Sequence, residues 1–278
     1  MTMTCEIVNI SDVGRKRPHN EDSTISDSNN RLVILADGMG GYKAGEIASA
    51  LAVMTILQDV TVGLKSKGTI KPESGNGLSP ESSLVKRAIQ HANSKIYQLA
   101  KTDIECQGMG TTIVTGLVHN DKISIGNVGD SRSYRLRAGK FLQITKDHSL
   151  IQELIDRGLY TPAEAQAKMP RNLVTRALGL DTEVEVDMIE EQVHPGDIYL
   201  LCSDGLNDMV NDEEIHLTLS KYSANLVQAA DSLVQLANSK GGKDNISVVL
   251  VRIKNDDPIP EKGGSLITLF NRIFDVRG

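Results

Sequence analysis

The stretch Arg31-Leu-Val-Ile-Leu-Ala-Asp-Gly-Met-Gly-Gly-Tyr-Lys-Ala-Gly-Glu46 decides how the rest of the sequence is interpreted. Leu32 to Ala36 is a continuous apolar run, which predicts a buried strand. The run ends at Asp37, so its carboxylate would be held rigidly where the strand opens to solvent. The glycines that follow allow the backbone to turn sharply and allow a ligand to approach it closely. An ordinary strand–turn–helix with a solvated Asp37 is the alternative.

The composition indicates a globular protein with an aliphatic core. The 278 residues include no Trp and three Phe, and the net charge is -6 without a marked basic run. This argues against nucleic acid as the main partner. The N-terminal residues lack the features of a signal peptide, and the three cysteines lack metal-ligand spacing. No apolar stretch approaches the roughly 18 residues of a membrane span. We therefore expect a cytoplasmic monomer without a membrane span.

Strand-forming and helix-forming runs are segregated along the chain rather than strictly alternating. This favours an α+β sandwich over a parallel sheet. The predicted strands are Glu6 to Ile10, a hairpin around Asn29-Asn30, a meander from Gly110 to Ile144, Asp197 to Ser203 and Ile246 to Ile253. The predicted helices are Ala44 to Leu57, one that begins near Ser79, His148 to Gly158, one that begins at Thr161, Asn211 to Leu219 and Ser223 to Ser239.

Two segments have a different character from these elements. Lys65 to Pro80 is rich in Gly, Ser, Lys and Pro, which predicts a surface loop that is long for a compact domain. Thr145 to Leu180 is either a helical lid over a cleft or a simple packed helical layer.

Acidic residues recur at the ends of the predicted strands. Asp37 and Asp204 follow buried apolar strands, Asp244 precedes one, and Glu21 and Asp22 precede a strand of the first hairpin. Oxygen ligands without a His or Cys partner suit Mg²⁺ or Mn²⁺ rather than zinc. Several crowded carboxylates would repel one another unless cations lay between them.

The motifs of the chain resemble, in order, those of the metal-dependent protein Ser/Thr phosphatases, the protein phosphatase 2C (PPM) family, and most closely its bacterial members. The resemblance covers roughly Glu6 to Lys254. The motifs are Ser11-Asp-Val-Gly14, Arg17, Asn20-Glu-Asp22, Ala36-Asp-Gly-Met-Gly-Gly41 with Gly45-Glu46, Gly110-Thr-Thr112, Gly129-Asp-Ser-Arg132, Thr145-Lys-Asp-His148, Ser203-Asp-Gly-Leu206 and Lys243-Asp-Asn245.

This resemblance implies a sandwich of two antiparallel sheets flanked by helices, with two metal ions at one edge. It implies that Asp37 bridges both ions, that the Gly38 carbonyl binds one, and that Asp204 and Asp244 complete one site. Glu21 would serve the other site through water. Residues Asp130 and Asp208 match the positions that bind a weaker third ion.

The same resemblance implies hydrolysis of phosphoserine and phosphothreonine by direct attack of a metal-bridging hydroxide, in opposition to a Ser/Thr protein kinase. Arg17 would bind the substrate phosphate, since a guanidinium can take two oxygens at once. Two positions depart from the family pattern. Met39 replaces the His of eukaryotic members, and Tyr42 stands where bacterial members usually have His. Water, or Asp22 acting through water, is the expected proton donor.

Two other functions are compatible with parts of the sequence. The segment 203–209 resembles the metal-binding motif of haloacid dehalogenase-type phosphatases, but Asp37-Gly-Met39 lacks the second Asp that those enzymes need. A non-catalytic module that senses phosphoproteins is the other alternative, and loss of a metal carboxylate would favour it. Asp37, Asp204 and Asp244 are all present, which argues against this alternative.

The extent of the resemblance, together with the residue pattern beyond it, predicts two parts of unequal size. Residues 1–254 would form the phosphatase domain, and residues 255–278 a linker and an amphipathic C-terminal tail. The apolar residues of the tail recur at spacings of three and four. We expect the tail to dock on its own domain or to tether a partner, such as the opposing kinase.

Overall fold

Two antiparallel sheets lie face to face in the computed structural model, which describes residues 3–40, 44–66, 77–170 and 173–255. The strands of the first sheet are, in spatial order, β1 (Met3–Asp12), β11 (Ile246–Asn255), β10 (Ile198–Cys202), β7 (Arg132–Arg137) and β8 (Lys140–Gln143). The strands of the second are β2 (Asp22–Asp27), β3 (Leu32–Met39), β5 (Ile113–His119), β6 (Lys122–Val128) and β9 (Asp187–Gln192), and β4 (Gly110–Thr111) pairs with β3.

Helices cover the outer face of each sheet. The described helices are α1 (Ala44–Lys65), α2 (Pro80–Thr102), α3 (Leu150–Asp156), α4 (Pro162–Lys168), α5 (Asp204–Asn207), α6 (Asp212–Lys221) and α7 (Leu226–Ser239). One apolar core lies between α1, α2 and the second sheet, and another between the first sheet and α6 and α7. A third core fills the space between the sheets. The predicted sandwich of two antiparallel sheets with outer helices is confirmed.

Strand β3 shows why its apolar run is continuous. Val33 and Leu35 belong to the core between the sheets, whereas Leu32, Ile34 and Ala36 belong to the core beneath α1 and α2. Successive side chains of a strand point to opposite faces. Because both faces of β3 are covered, both sets must be apolar.

Some elements differ from the sequence predictions. Strand β1 runs over ten residues because each of them pairs with β11. Strand β3 continues through Asp37 to Met39 instead of ending before it. The edge strand β9 was missed, since its half-buried Asp-Met-Ile-Glu-Glu-Gln sequence lacks a strong apolar pattern. Helix α7 begins at Leu226 after the capping residue Asn225, not at Ser223.

Helix α1 contradicts the expectation that no apolar stretch approaches the length of a membrane span. It contains 22 residues and is apolar enough to pass that test by length and composition. Its buried side chains, among them Ala48, Ala52 and Ile56, pack in the core over the second sheet. A core helix of this kind passes the same test.

Three predictions concern residues outside the described ranges. These residues are Tyr42, most of the predicted Lys65 to Pro80 loop, and the C-terminal tail after Asn255. The hairpin at Asn29-Asn30 lies within those ranges and is as predicted. The helices predicted to begin near Ser79 and at Thr161 are capped by those two residues.

Candidate active site

A cleft of about 200 Å³ lies where β3 and β10 end and β11 begins. Seven residues that were predicted from separate motifs line it: Arg17, Glu21, Asp37, Gly38, Asp130, Asp204 and Asp244. Met39, Gly40, Thr112 and Val174 complete the lining. Two predicted residues lie elsewhere, Asp22 behind the cleft wall and Asp208 in a neighbouring cavity.

The backbone of Asp37 is fixed on both sides by the Gly-Thr-Thr motif. Its carbonyl accepts hydrogen bonds from the Thr112 N–H at 2.9 Å and from the Thr111 hydroxyl at 2.8 Å. Its N–H donates to Thr112 Oγ1 at 3.1 Å. Thr112 in turn shares a 2.7 Å hydroxyl–hydroxyl bond with Ser131. These bonds hold Asp37 at the cleft before any ligand arrives.

Gly38 is required because three backbone segments meet there. A Cβ atom at this position would lie 2.1 Å from the carbonyl oxygen of Gly45 and 2.6 Å from that of Glu21. The Gly38 N–H donates to the Glu21 carbonyl at 3.2 Å. A Cβ at Gly45 would likewise lie 2.9 Å from the Glu21 carboxylate. The Gly-rich turn therefore brings the start of α1 against Glu21.

Asp22 lies on the neighbouring strand, paired with Asp37. Its Oδ2 accepts hydrogen bonds from Ser247 at 2.6 Å and from Ser203 at 2.8 Å. Its Oδ1 is buried without a hydrogen-bond partner. Burial raises the pKa of Asp22 to about 6, and the two serine hydroxyls oppose this shift. Asp22 does not line the cleft, but its carboxyl is close enough to that of Asp37 for the two to share a proton.

Asn245 organises the loop that carries Arg17 and Glu21. Its side-chain NH₂ donates to the carbonyls of Val13 and His19, each at 2.9 Å, and its Oδ1 accepts from the Glu21 N–H at 2.8 Å. Asn245 is 4% exposed. Its part of the last motif was quoted from the sequence, but this clamp was not predicted, because it joins residues more than 220 positions apart.

Arg17 contacts Asp244, the acidic residue of that motif. Its NH2 group donates to Asp244 Oδ2 at 2.8 Å, and this bond raises the pKa of Arg17. Both side chains are partly exposed at the cleft. The guanidinium is thus positioned at the site, paired with a carboxylate.

The carboxylates of the cleft are electrostatically crowded. Desolvation raises the pKa of Asp37 well above its usual range, and the charges of Asp22, Asp204, Asp130 and Asp244 add to the shift. The pKa of Asp204 is also raised, again mainly by burial and then by the charges of its acidic neighbours. Such a cluster is unfavourable unless protons or cations neutralise it.

This donor set fits divalent cations in its chemistry. All side-chain donors are carboxylate oxygens, the ligands that Mg²⁺ and Mn²⁺ prefer. Within the described residues, no three His, Cys, Asp or Glu side chains form a ready-made metal site. The carboxylates surround an open cleft instead.

A second cavity of about 640 Å³ adjoins the cleft and shares Asp130 and Asp204 with it. Asp208 lines this cavity. Its other walls include Ile151 and Ile155 of α3, in the predicted lid. Helix α3 therefore forms one side of a cavity that adjoins the cleft.

The base of this lid is tied to the cleft by His148. The Gly129 N–H donates to His148 Nδ1 at 3.0 Å, and the His148 N–H donates to the Gly129 carbonyl at 2.9 Å. Arg132 donates to both oxygens of Asp147. The Gly-Asp-Ser-Arg and Thr-Lys-Asp-His motifs thus hold each other, a role that their sequences alone did not indicate.

A two-sheet sandwich with an oxygen-only acidic cleft and a positioned guanidinium defines a metal-dependent phosphatase. Comparisons with known proteins agree. The family model "Protein phosphatase 2C" matches residues 15–240. The chain is 38% identical over 247 residues to the serine/threonine phosphatase stp of Listeria monocytogenes, covering 87% of this chain and 93% of that protein. It is also 38% identical over 249 residues to PstP of Mycobacterium tuberculosis, covering 89% of this chain and 45% of PstP.

Solved structures show the same relationship. The crystal structure of M. tuberculosis PstP/Ppp matches with a TM-score of 0.79 and 36% identity, covering 91% of this chain and 100% of that one. A structure of the PstP catalytic domain in complex with two manganese ions matches with a TM-score of 0.77 and 35% identity, covering the same shares. The chain belongs to the protein phosphatase 2C family. It is a metal-dependent protein serine/threonine phosphatase, and its substrates are phosphoproteins.

Proposed function

We propose that the 200 Å³ cleft is the catalytic centre of this phosphatase. Asp37, Asp204 and Asp244 would hold divalent cations, together with the Gly38 carbonyl and, through water, Glu21. The observation that carries this proposal is that residues from separate motifs line one small cleft. Manganese is supported by its presence in the PstP complex, and we extend the proposal to Mg²⁺.

The bound cations would neutralise the phosphate and lower the pKa of a water molecule for attack on phosphorus. Arg17 would bind the phosphate oxygens. Because Arg17 now pairs with Asp244, an incoming phosphate competes with that carboxylate for the guanidinium. Thr111 and Thr112 keep Asp37 from moving during this exchange. The Met39 thioether cannot protonate the leaving oxygen, so water remains the proposed donor, supplied directly or from Asp22.

Asp130 and Asp208 are proposed to hold a weaker third cation. Asp130 is 7% exposed and lines both cavities, whereas Asp208 lines the larger one. Burial, followed by the charge of Asp147, raises the pKa of Asp130 to about 6. A cation near Asp130 would relieve this unfavourable charge.

We also propose that the enzyme opposes a Ser/Thr protein kinase, since such a kinase forms the esters that it hydrolyses. Its catalytic domain would be residues 1–254, in accord with a last strand that ends at Asn255. Residues 255–278 would be a separate tail.

The test is hydrolysis of an aryl phosphate and of a phosphopeptide by protein stripped with EDTA, with Mn²⁺ or Mg²⁺ then added back. Asp37→Asn and Asp244→Asn should each remove nearly all turnover and weaken Mn²⁺ binding in calorimetry. Asp231→Asn, an exposed change on α7, is the matched control and should behave as wild type. Full activity of confirmed metal-free protein, or of Asp37→Asn, would contradict the proposal.

A further inference from the structure

A third cavity of about 370 Å³ is not explained by the catalytic cleft. It lies at the C-terminal end of α2, against the end of the lid segment. Its apolar lining comes from Tyr97, Ala100, Ile104 and Leu180, with Lys101 and Asp103 among its polar residues. We refer to it as the α2 pocket. Its volume falls within the range of about 300–1,000 Å³ that is usual for ligand sites.

Two of these apolar residues are unusually exposed. Ile104 is 86% exposed and Leu180 is 47% exposed. Ile104 lies in a short 3₁₀ turn, Ile104–Cys106, that is capped by Asp103. Single exposed apolar residues are common on proteins, but here two of them border one concavity. Burying them against a partner would therefore be favourable.

The wall that carries Leu180 is rigid. Leu178 exchanges backbone hydrogen bonds with Thr111 at 2.9 and 3.1 Å. The Gly179 N–H donates to Asn93 Oδ1 at 2.8 Å. Gly179 has a φ of +89°, and a Cβ there would lie 2.3 Å from Ile96 of α2. The pocket is preformed, so little conformational entropy is lost when a partner binds.

The α2 pocket is joined to the catalytic cleft by apolar side chains. A Cβ atom at Gly110 would lie 3.1 Å from Met39 Cε and 3.2 Å from Leu180 Cδ2. Because Gly110 has no side chain, Met39 of the cleft and Leu180 of the pocket approach each other above it. Along the lid segment, Val174 lines the cleft and Leu180 lines the pocket. Six residues span at most about 20 Å, which limits the distance between the two sites.

We propose that the α2 pocket binds an apolar side chain of the phosphoprotein substrate, within about six residues of the phosphorylated residue. This inference rests on the proposal that the cleft holds the phosphorylated side chain. The cleft is too small for more than one side chain, so the flanking residues of the substrate must lie on the surface beside it. The apolar strip from Met39 to Leu180 leads those residues to the pocket.

The test uses a phosphothreonine peptide library with randomised flanking positions. Wild type should prefer Leu, Ile or Phe at one flanking position by about tenfold in kcat/KM, as expected for burying roughly half of such a side chain. Ile104→Glu and Leu180→Glu should each remove that preference while aryl phosphate hydrolysis stays unchanged. Leu217→Glu is the matched control, since Leu217 on α6 is 61% exposed and lies outside the pocket. It should keep the preference.

The outcomes separate this inference from the proposed catalytic centre. Suppose that Asp37→Asn is inactive. The proposed role of the α2 pocket alone would then be overturned if wild type showed no apolar preference, or if the preference persisted in Ile104→Glu and Leu180→Glu. An active Asp37→Asn would instead overturn the assignment of the cleft.

Discussion

Replacing Asn245 by Ala should detach the loop of residues 13–21 from the rest of the catalytic cleft. The substitution removes three hydrogen bonds, to Val13, His19 and Glu21, from a side chain that is 4% exposed. At about 1 kcal/mol net for each bond, the free energy of unfolding should fall by about 3 kcal/mol. For a protein of this size, that corresponds to a drop in Tm of roughly 6–12 °C.

The assay is thermal unfolding in EDTA, so that loss of a metal ion cannot account for the result. Asn238→Ala is the graded control, because Asn238 is also buried but donates one hydrogen bond, to Asp12 Oδ1 at 3.1 Å. Asn238→Ala should lower the free energy of unfolding by about 1 kcal/mol.

A second measurement, of proteolysis, reports on the opening of the loop itself. Native-state trypsin cleavage after Arg15 or Lys16 should accelerate in Asn245→Ala, since local opening exposes these bonds. It should stay at the wild-type rate in Asn238→Ala. If Asn245→Ala melts no lower than Asn238→Ala and resists trypsin as wild type does, the clamp has no such role.

Further outcomes are expected. Arg17→Ala should raise KM for phosphopeptides, at a cost of about 1.5–3 kcal/mol, without weakening Mn²⁺ binding in calorimetry; an unchanged kcat/KM would remove Arg17 from the site. Ile151→Ala and Ile155→Ala should lower kcat/KM on phosphoproteins more than on an aryl phosphate, whereas equal losses would count against the lid. Burial lowers the pKa of His148, so its stabilising effect is complete above the unfolded pKa of about 6.5 and declines as pH falls below it. His148→Asn should therefore flatten the fall in Tm between about pH 7.5 and 5.5, and an unaltered slope would refute this. Truncation after Asn255 should lower Tm if the tail docks on its own domain, and should reduce only partner recovery if it is a tether.

The parts of the fold that were predictable are those fixed by local chemistry. The β3 run, the Asn29-Asn30 hairpin and the Thr161 cap each follow from residues within a few positions of one another. The full length of β1 was not predictable, since it depends on pairing with β11 at the other end of the chain. Strand β9 was missed for a related reason, because its polar sequence becomes a strand only by pairing with β6.

The candidate site, too, was predictable where local sequence decides it and not where distant contacts do. The charged residues were identified from their motifs, whose chemistry is visible in the sequence. The residues that position them were not, because Asn245, Ser203 and His148 act through contacts across the fold. Likewise, Asp22 lies behind the cleft and not in it because it pairs with Asp37 on the neighbouring strand. Sequence patterns identified the candidate site residues, and tertiary contacts decide which of them line the cleft.

The pairing of the first strand with the last has a consequence for the synthesis of the protein. The loop with Arg17 and Glu21 contacts Asp244 and Asn245, so these contacts join residues 227 and 224 positions apart. A chain emerging from the ribosome can fold its middle elements first. Among the described strands, however, β1 pairs only with β11, so it has no strand partner until β11 is made. The cleft that we propose as the catalytic centre would therefore be assembled last. On that proposal, a nascent chain that stops before β11 should be inactive, however well its second sheet has formed.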